Sequence, residues 1–377
     1  MSGTLNAADP ATFPPIQVAP RLARLRQELA GAGCDGVVVT TRANVRYLTG
    51  FTGSAGTLFV GPEDALLVTD GRYDTQAGEQ VAEAGVDVRI EIGNLKTQTL
   101  ALARAGQAFR RVGLEAADVS WAKQREFADE VFPEAELVPT TGLVEALRRV
   151  KDDGELARMR AAAAIADAAL AEIRLLLAGG PTEAEVALAL DHAMRQHGAS
   201  GPSFETIVAA GPNGAKPHHR PSARPIGRGE LVVVDFGAVV DGYCSDCTRT
   251  FCVGDPGTDE LARVVDVVAA SQRAGVAAVR AGVEAGSVDQ ACRDLIAGAG
   301  WAEAFVHGTG HGVGLDIHEW PRVGPGSADT LPEGSVVTVE PGVYLPGVGG
   351  ARIEDTVVVQ SGGCRALTEA PKELSVA

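Results

Sequence analysis

The stretch DFGAVVDGYCSDCTRTF, residues 235–251, decides how this chain is read. It follows the apolar run LVVV and contains two candidate metal sites that exclude each other. Cys244 and Cys247 form a C-x-x-C pair, the usual sign of zinc or redox chemistry. Asp235 and Asp246 are carboxylates on either side of a turn. The segments 230–236 and 243–252 read as the arms of a β-hairpin, with Asp241 and Gly242 as the turn residues. Residues two apart on a strand share a face, so Cys244, Asp246 and Thr248 point one way and Cys247 the other. A zinc pair needs both sulfurs on one ion, and no second C-x-x-C completes a set. The cysteines are therefore read as small buried residues. For the aspartates two registers stay open. With Val240 and Asp241 at the turn centre, Asp235 lies opposite Asp246; with Asp241 and Gly242 central, it lies opposite Thr248. Either brings both carboxylates to one side, close enough to share a cation. A carboxylate at the end of four apolar residues also needs compensation from a metal or a basic partner.

Comparable carboxylates stand further along. Glu340 ends the apolar run of VVTVEPGVY, and Glu354 interrupts ARIEDTVVV beside Arg352 and Asp355. HGTGHGVGLDIHEWPR, residues 307–322, holds His307, His311 and His318. Its alternating glycines forbid a stable helix, so these histidines line a loop or strand. His218 and His219 add two more in NGAKPHH; His192 and His197 lie on a helix and are given no role. Asp235, Asp246, Glu340 and Glu354 with one imidazole make an oxygen-rich donor set suited to two divalent ions.

The 377 residues exceed one ordinary core and imply two domains. A formal net charge of −16 argues against nucleic acid or an anionic membrane as partner. No apolar run is long enough for a membrane span. MSGTLNAADPATFPPIQ lacks the basic and apolar regions of a secretory signal. With six irregularly spaced cysteines, a cytoplasmic protein is expected.

Residues 1–18 read as a disordered lead-in, 19–140 as an α/β domain, 141–152 as a linker and 153–377 as a catalytic domain. In the first domain, helices are expected over 21–32, 73–84 and 95–108, and strands over 36–40, 56–60, 65–69, 86–92 and 112–115. The second begins with a long Ala-rich helix, after which Thr182 and Glu185 form a capping box opening a helix to about His197. Another long helix, 259–281, precedes a second candidate capping box, Ser287 with Gln290. Two related half-domains follow from this repeat, each a helix pair over antiparallel strands, with the site where they meet.

Taken together, DFG…GYCSDCTRTF, HGTGHGVGLDIHEWPR, VVTVEPGVYLPG and ARIEDTVVV resemble the signature blocks of the pita-bread metallopeptidases, the prolidase and aminopeptidase P branch above all. RLARLRQELAGAGCDGVVVTTRANVRYLTGFTGSAGTLFV, with LLVTDGRYDTQA, resembles the creatinase-like N-terminal domain of that branch. The resemblance covers residues 20–375. It implies an α+β pita-bread domain of two half-domains after a smaller α/β domain. It also implies a dinuclear centre held by Asp235, Asp246, His311, Glu340 and Glu354, with Asp246 and Glu354 bridging both ions and Glu340 handling the proton of the attacking water. His218 matches a histidine near the scissile bond, and His307 and His318 the outer histidines of their block. Arg322 matches a residue meeting the substrate carboxylate, and Arg352 an arginine that buttresses the bridging glutamate and faces the substrate. Ala351, where the family often has a larger residue, touches no ligand.

The implied reaction is hydrolysis of an Xaa-Pro bond by a hydroxide bridging two metals, manganese being the expected ion and cobalt, zinc and iron compatible ones. A dipeptidase (prolidase) is favoured by the compact first domain and by Arg322; an aminopeptidase P acting on longer peptides is the alternative. A non-catalytic binding protein on the same fold is disfavoured by the complete ligand set. The resemblance further implies a homodimer. Asn44, Tyr47 and Phe51 are read as packing in the first domain ahead of any part in the site.

Overall fold

A computed structural model describes residues 12–376. The chain divides into two compact units, one of residues 16–148 and the other of residues 149–376 together with 12–15. Among the described residues no helix is long and apolar enough to cross a membrane.

In the first unit the apolar spacing of Leu22, Leu25 and Leu29 buries one face of α1 (Arg21–Leu29). That helix stops short of the expected Ala32 because Gly33 takes a left-handed φ of 75° and the chain turns back, Cys34 N donating to Leu29 O. There follow β1 (Gly36–Val39), α2 (Arg42–Thr49), β2 (Thr57–Val60), β3 (Ala65–Thr69) and α3 (Asp74–Glu83). Next come β4 (Arg89–Ile92), α4 (Leu95–Gly106), β5 (Arg111–Glu115), α5 (Trp121–Glu126), β6 (Glu136–Thr140) and α6 (Leu143–Arg148). The strands form one sheet in the order β4-β3-β2-β1-β5-β6. β1 is antiparallel to β2 and parallel to β5. Asn44, Tyr47 and Phe51 are buried here; Asn44 bonds Glu115 and Arg148, and Tyr47 Oη donates to Leu147 O. Residues 141–148, expected within a linker, hold α6, whose Val144 and Arg148 are buried.

The second unit opens on α7 (Asp153–Ile173), capped by a reciprocal Asp152–Glu155 box. The expected Thr182–Glu185 box is present at the start of α8 (Glu183–Gln196). Strands β7 (Gly201–Pro202), β8 (Ile207–Ala210), β9 (Leu231–Phe236), β10 (Ala238–Val240), β11 (Tyr243–Cys244) and β12 (Cys247–Val253) follow. The second helix pair is α9 (Asp259–Ala278) and α10 (Ala285–Gly298). The Ser287–Gln290 capping box does not form. α10 begins three residues earlier, with Glu284 at the N-cap position; Ser287 Oγ donates to Glu284 O, and Gln290 bonds Asp294 along the helix. Then come β13 (Gly310–Gly312), β14 (Glu319–Val323), β15 (Val336–Val339), β16 (Gly342–Leu345), β17 (Gly349–Arg352), β18 (Asp355–Gln360), β19 (Gly363–Ala366) and β20 (Ser375–Val376).

Each helix pair covers a sheet, α7 and α8 over β20-β12-β9-β8, α9 and α10 over β14-β13-β15-β18-β19, with a separate apolar core in each half. The lead-in expected over 1–18 lies partly outside the described residues. Of the rest, Phe13 packs on the first core and Pro14 O accepts from Arg158 Nη1.

The hairpin register is settled by its turn. Val240 pairs with Tyr243, leaving Asp241 and Gly242 as a two-residue loop with φ of 43° and 73°. Positive φ at both positions is the type I′ requirement, and it fits the twist of the arms. Asp235 is therefore opposite Thr248, the second of the two registers. Between β9 and β10 the chain passes so close to Ser245 that a Cβ on Gly237 would overlap Ser245 O. Gly237→Ala should consequently lower stability by about 3 kcal/mol through overpacking, measured as a drop in the urea midpoint; an unchanged midpoint would show that the bend is not constrained there.

Candidate metal centre

The site is built where strands stop. Asp235 is the penultimate residue of β9, and Asp246 stands in the short gap between β11 and β12. That gap is pinned: Ser245 N donates to Ala238 O and Thr356 Oγ1 to Asp246 O. Glu354 occupies the break between β17 and β18, where its N–H donates to Thr248 O and its Oε2 accepts from Thr248 Oγ1 at 2.8 Å. The consequence is convergence: carboxylate oxygens of Asp235, Asp246 and Glu354 lie within 4.8 Å of one another.

The other two expected ligands close the cluster from the second half. Glu340 directly follows β15, its N–H held by Thr309 O at 2.7 Å. His311 Nε2 lies 3.3 Å from Glu340 Oε1 and 3.5 Å from Asp246 Oδ2. His311 Nδ1 is 2.9 Å from Gly312 O and carries a proton there, so Nε2 is the nitrogen that faces the carboxylates. In the metal-free chain burial disfavours the charged ring, but the hydrogen bond and charge of Glu340 prevail and raise its pKa. A buried Asp289 on α10 braces this wall by accepting from Thr309 N and Oγ1.

Arg352 is almost fully buried and every guanidinium nitrogen is engaged. Nη2 donates to Asp235 Oδ2 at 2.6 Å, Nε to Thr248 Oγ1, and Nη1 to Tyr344 Oη and Pro217 O. The resemblance placed Arg352 on the bridging glutamate and on substrate. The structure puts it on Asp235, with Glu340 4.0 Å away, and reaches Glu354 only through Thr248. Four of its five N–H groups are used in this way, and one on Nη2 has no hydrogen bond among these. Tyr344 Oη, accepting from Arg352, donates to His307 Nε2 at 2.7 Å, while His307 Nδ1 donates to Gly308 O. His307, expected to be catalytic, thus has both nitrogens within hydrogen-bond distance of groups of its own chain. Burial lowers its pKa, in keeping with the neutral ring, and raises that of Tyr344 to about 12.

His218 and His318 are exposed, and the His311 and His318 rings meet edge to face at 4.4 Å. Arg322 pairs with His311 across β13 and β14, which puts both side chains on one face, Arg322 exposed. His219, given no role, bonds the buried Glu183. The cysteines are apart from all this: Cys247 lies in the first core and Cys244 Sγ faces Leu315 O. Residue-type reasoning passed over Tyr344, Asp289 and Glu183, which sit in segments that read as plain strand or helix.

Four carboxylates share this hollow with one guanidinium. Burial, then the charges of Glu354, Asp235 and Glu340, push the Asp246 carboxyl well above the usual range. Burial with Glu340 and Asp235 does the same to Glu354, and burial raises Asp235 despite Arg352. At Glu340 burial is outweighed by His311, His307 and Arg352, and the carboxyl falls to about 2. Two buried oxygens, Asp235 Oδ1 and Glu354 Oε1, have no hydrogen-bond partner among the described residues. Orphaned anionic oxygens beside carboxylates that resist ionisation are what divalent cations would satisfy, and a set of four carboxylates and one imidazole fits such ions.

A donor set of this kind in a β-lined hollow, in a chain with a separate α/β unit, defines a metallohydrolase. The sequence profile of metallopeptidase family M24 matches residues 157–361, and that of the creatinase/prolidase N-terminal domain matches residues 21–150. The chain belongs to family M24, its second unit being the pita-bread domain and its first the creatinase-like α/β domain. A Bacillus subtilis protein called an uncharacterized peptidase is 41% identical over 356 residues, 94% of this chain and 99% of its own length. The structure of an Xaa-Pro dipeptidase from Bacillus anthracis is similar with TM-score 0.90 and 38% identity, covering 94% of this chain and 98% of that one. An X-Pro aminopeptidase from Thermotoga maritima is similar with TM-score 0.84 and 33% identity, covering 94% and 100%.

The electrostatics have a measurable sign. Asp246 and Glu354 have folded pKa values above their unfolded ones in the metal-free chain, so their contribution to stability is present below about pH 4 and is lost as pH rises through the folded values. Glu340, shifted down, contributes above that pH and loses its share only towards pH 2. Divalent ions remove the penalty on the first two. The Tm gap between metal-loaded and chelated protein should therefore widen from pH 5 to pH 8 in calorimetry; a constant gap would remove these carboxylates from the metal site.

Proposed function

We propose that this chain is an Xaa-Pro dipeptidase whose five ligands, Asp235, Asp246, His311, Glu340 and Glu354, hold two divalent ions, with Asp246 and Glu354 between them. The observation that carries this reading is the pair of orphaned oxygens, Asp235 Oδ1 and Glu354 Oε1, within a converging carboxylate cluster. Bound there, the ions supply Lewis acidity and lower the pKa of a shared water towards neutrality. Manganese suits the hard donor set best. Glu340, ionised and 3.3 Å from His311, takes the proton of the attacking water. His218 and His318, exposed at the mouth, face the scissile carbonyl and the proline nitrogen, which must gain a proton to leave.

Arg322 sets the chain length of the substrate. It lies opposite His311 on the strand pair, so its exposed side chain leaves from the face that carries His311, from which it would pair with the carboxylate of a C-terminal proline. Similarity to the Bacillus anthracis Xaa-Pro dipeptidase supports the same preference, while similarity to the Thermotoga maritima aminopeptidase supports longer Xaa-Pro peptides as the second reading. The six free cysteines agree with a cytoplasmic setting, and a homodimer is the assembly we propose.

Hydrolysis of Ala-Pro should exceed that of Ala-Pro-Ala in the manganese-loaded enzyme, and faster turnover of the tripeptide would overturn the dipeptidase assignment. Arg322→Ala should raise KM for Ala-Pro about 30-fold, the scale of a lost charge-assisted pair, and leave KM for Ala-Pro-amide nearly unchanged. Asp246→Asn should abolish turnover and lower bound metal by mass spectrometry; full activity in that variant would end the dinuclear reading.

A further inference from the structure

We infer that Glu183 is a positioning residue, which through His219 and its neighbours fixes the segment 211–222 so that His218 is presented to the substrate. The inference rests on the peptidase reading of His218.

Glu183 is the first residue of α8 and is completely buried. Its carboxylate is surrounded by donors from one segment only. Oε1 accepts from Ala210 N at 2.8 Å and Asn213 Nδ2 at 3.0 Å, where the segment begins. Oε2 accepts from His219 Nε2 at 2.9 Å, Ser222 Oγ at 2.6 Å and Ser222 N at 3.1 Å, where it ends. One side chain therefore closes the segment into a loop. A second anchor lies between these two. Pro217 O accepts from Nη1 of Arg352, the arginine that grips Asp235. The close approach of Gly214 and Gly350, where a Cβ on Gly350 would overlap Gly214 O, seats the same segment against β17.

His218 stands between these anchors. The residue before it is tied to the metal cluster by its carbonyl, and the residue after it to Glu183 by its ring. Held on both sides, His218 has its backbone direction set although its own side chain is exposed. None of the five candidate metal ligands lies in the segment, so the device acts on catalysis and not on metal binding. This also separates the twin histidines, His219 turned inward as the tether and His218 outward. A glutamine at 183 would turn an amide N–H towards one of the converging donors, so the carboxylate is required.

The test is a double-mutant cycle in the manganese-loaded full-length enzyme with Ala-Pro. His219→Ala should lower kcat about 30-fold, as a displaced catalytic group does, with metal stoichiometry and metal affinity unchanged. His219→Gln, whose amide can donate to Glu183, should recover activity to within about three-fold of wild type. Glu183→Gln should behave like His219→Ala. The loss in His219→Ala should vanish in a His218→Ala background, because the tether works only through that ring. Wild-type kcat in His219→Ala, or a loss that adds in full to His218→Ala, would overturn the inference. If the wild-type enzyme cleaves no Xaa-Pro peptide, the peptidase reading fails first. The positioning is then judged on the His218 imidazole signals in 13C-histidine NMR: altered signals in His219→Ala support it, and unaltered ones overturn it.

Discussion

The structure turns on the placement of four carboxylates in one buried hollow with a single guanidinium among them. Taking such groups out of water costs several kcal/mol each, and removing one partner of a buried pair strands the other. Arg352 answers part of that cost by gripping Asp235 and approaching Glu340. Thr248 and Tyr344 carry its influence outward, to Glu354 on one side and His307 on the other. His311 faces Asp246 and Glu340, while Asp235 Oδ1 and Glu354 Oε1 have no hydrogen-bond donor among the described residues. A hollow of this kind does not stabilise the fold by itself. It is held by the two apolar cores and rewards cations that enter it.

Backbone shape makes the hollow possible. Regular strands send neighbouring side chains to opposite faces, which would separate ligands drawn from consecutive positions. Asp246, Glu340 and Glu354 all stand just outside regular strands, and Asp235 next to the end of one. Close crossings keep these breaks in place. Neither Gly237 nor Gly310 tolerates a Cβ, the first because of Ser245 and the second because of Thr338. The same bends put Cys244 and Cys247 in different surroundings, so the most conspicuous spacing in the chain has no chemical use.

What could be read from the sequence was local and periodic. The capping box at Thr182 and strand β3 (residues 65–69) follow from local chemistry and alternation and appear as read, whereas the hairpin keeps its turn but its arms are divided between two sheets, as β10–β11 and β9–β12. The register depended on whether Asp241 accepts positive φ, a choice between two turns that alternation alone leaves open. Ser287 and Gln290 have the spacing of a cap, but Ala285 and Gly286 are already helical, and the tertiary course of the chain overrides the local signal. The partners of Arg352 are not legible in the sequence, because Asp235 and Pro217 come to it from two distant segments and Tyr344 across the β16–β17 hairpin. Tyr344 looks like any strand aromatic until its hydroxyl is found between an arginine and a histidine.

The repeat of the two half-domains gains meaning from their buried carboxylates. Each second helix contributes one near its start, Glu183 on α8 and Asp289 on α10, and each turns it on the loop that follows. Their targets differ. Asp289 holds Thr309, whose carbonyl holds the Glu340 N–H, while its partner Arg293 grips Phe305 and His307 through their carbonyls. Glu183 holds the loop of His218, which carries no candidate ligand. Equivalent devices in equivalent places thus brace the candidate metal wall in one half and the loop of His218, the proposed substrate side, in the other. The loop and the cluster constrain each other through the Pro217 carbonyl, which accepts from Arg352.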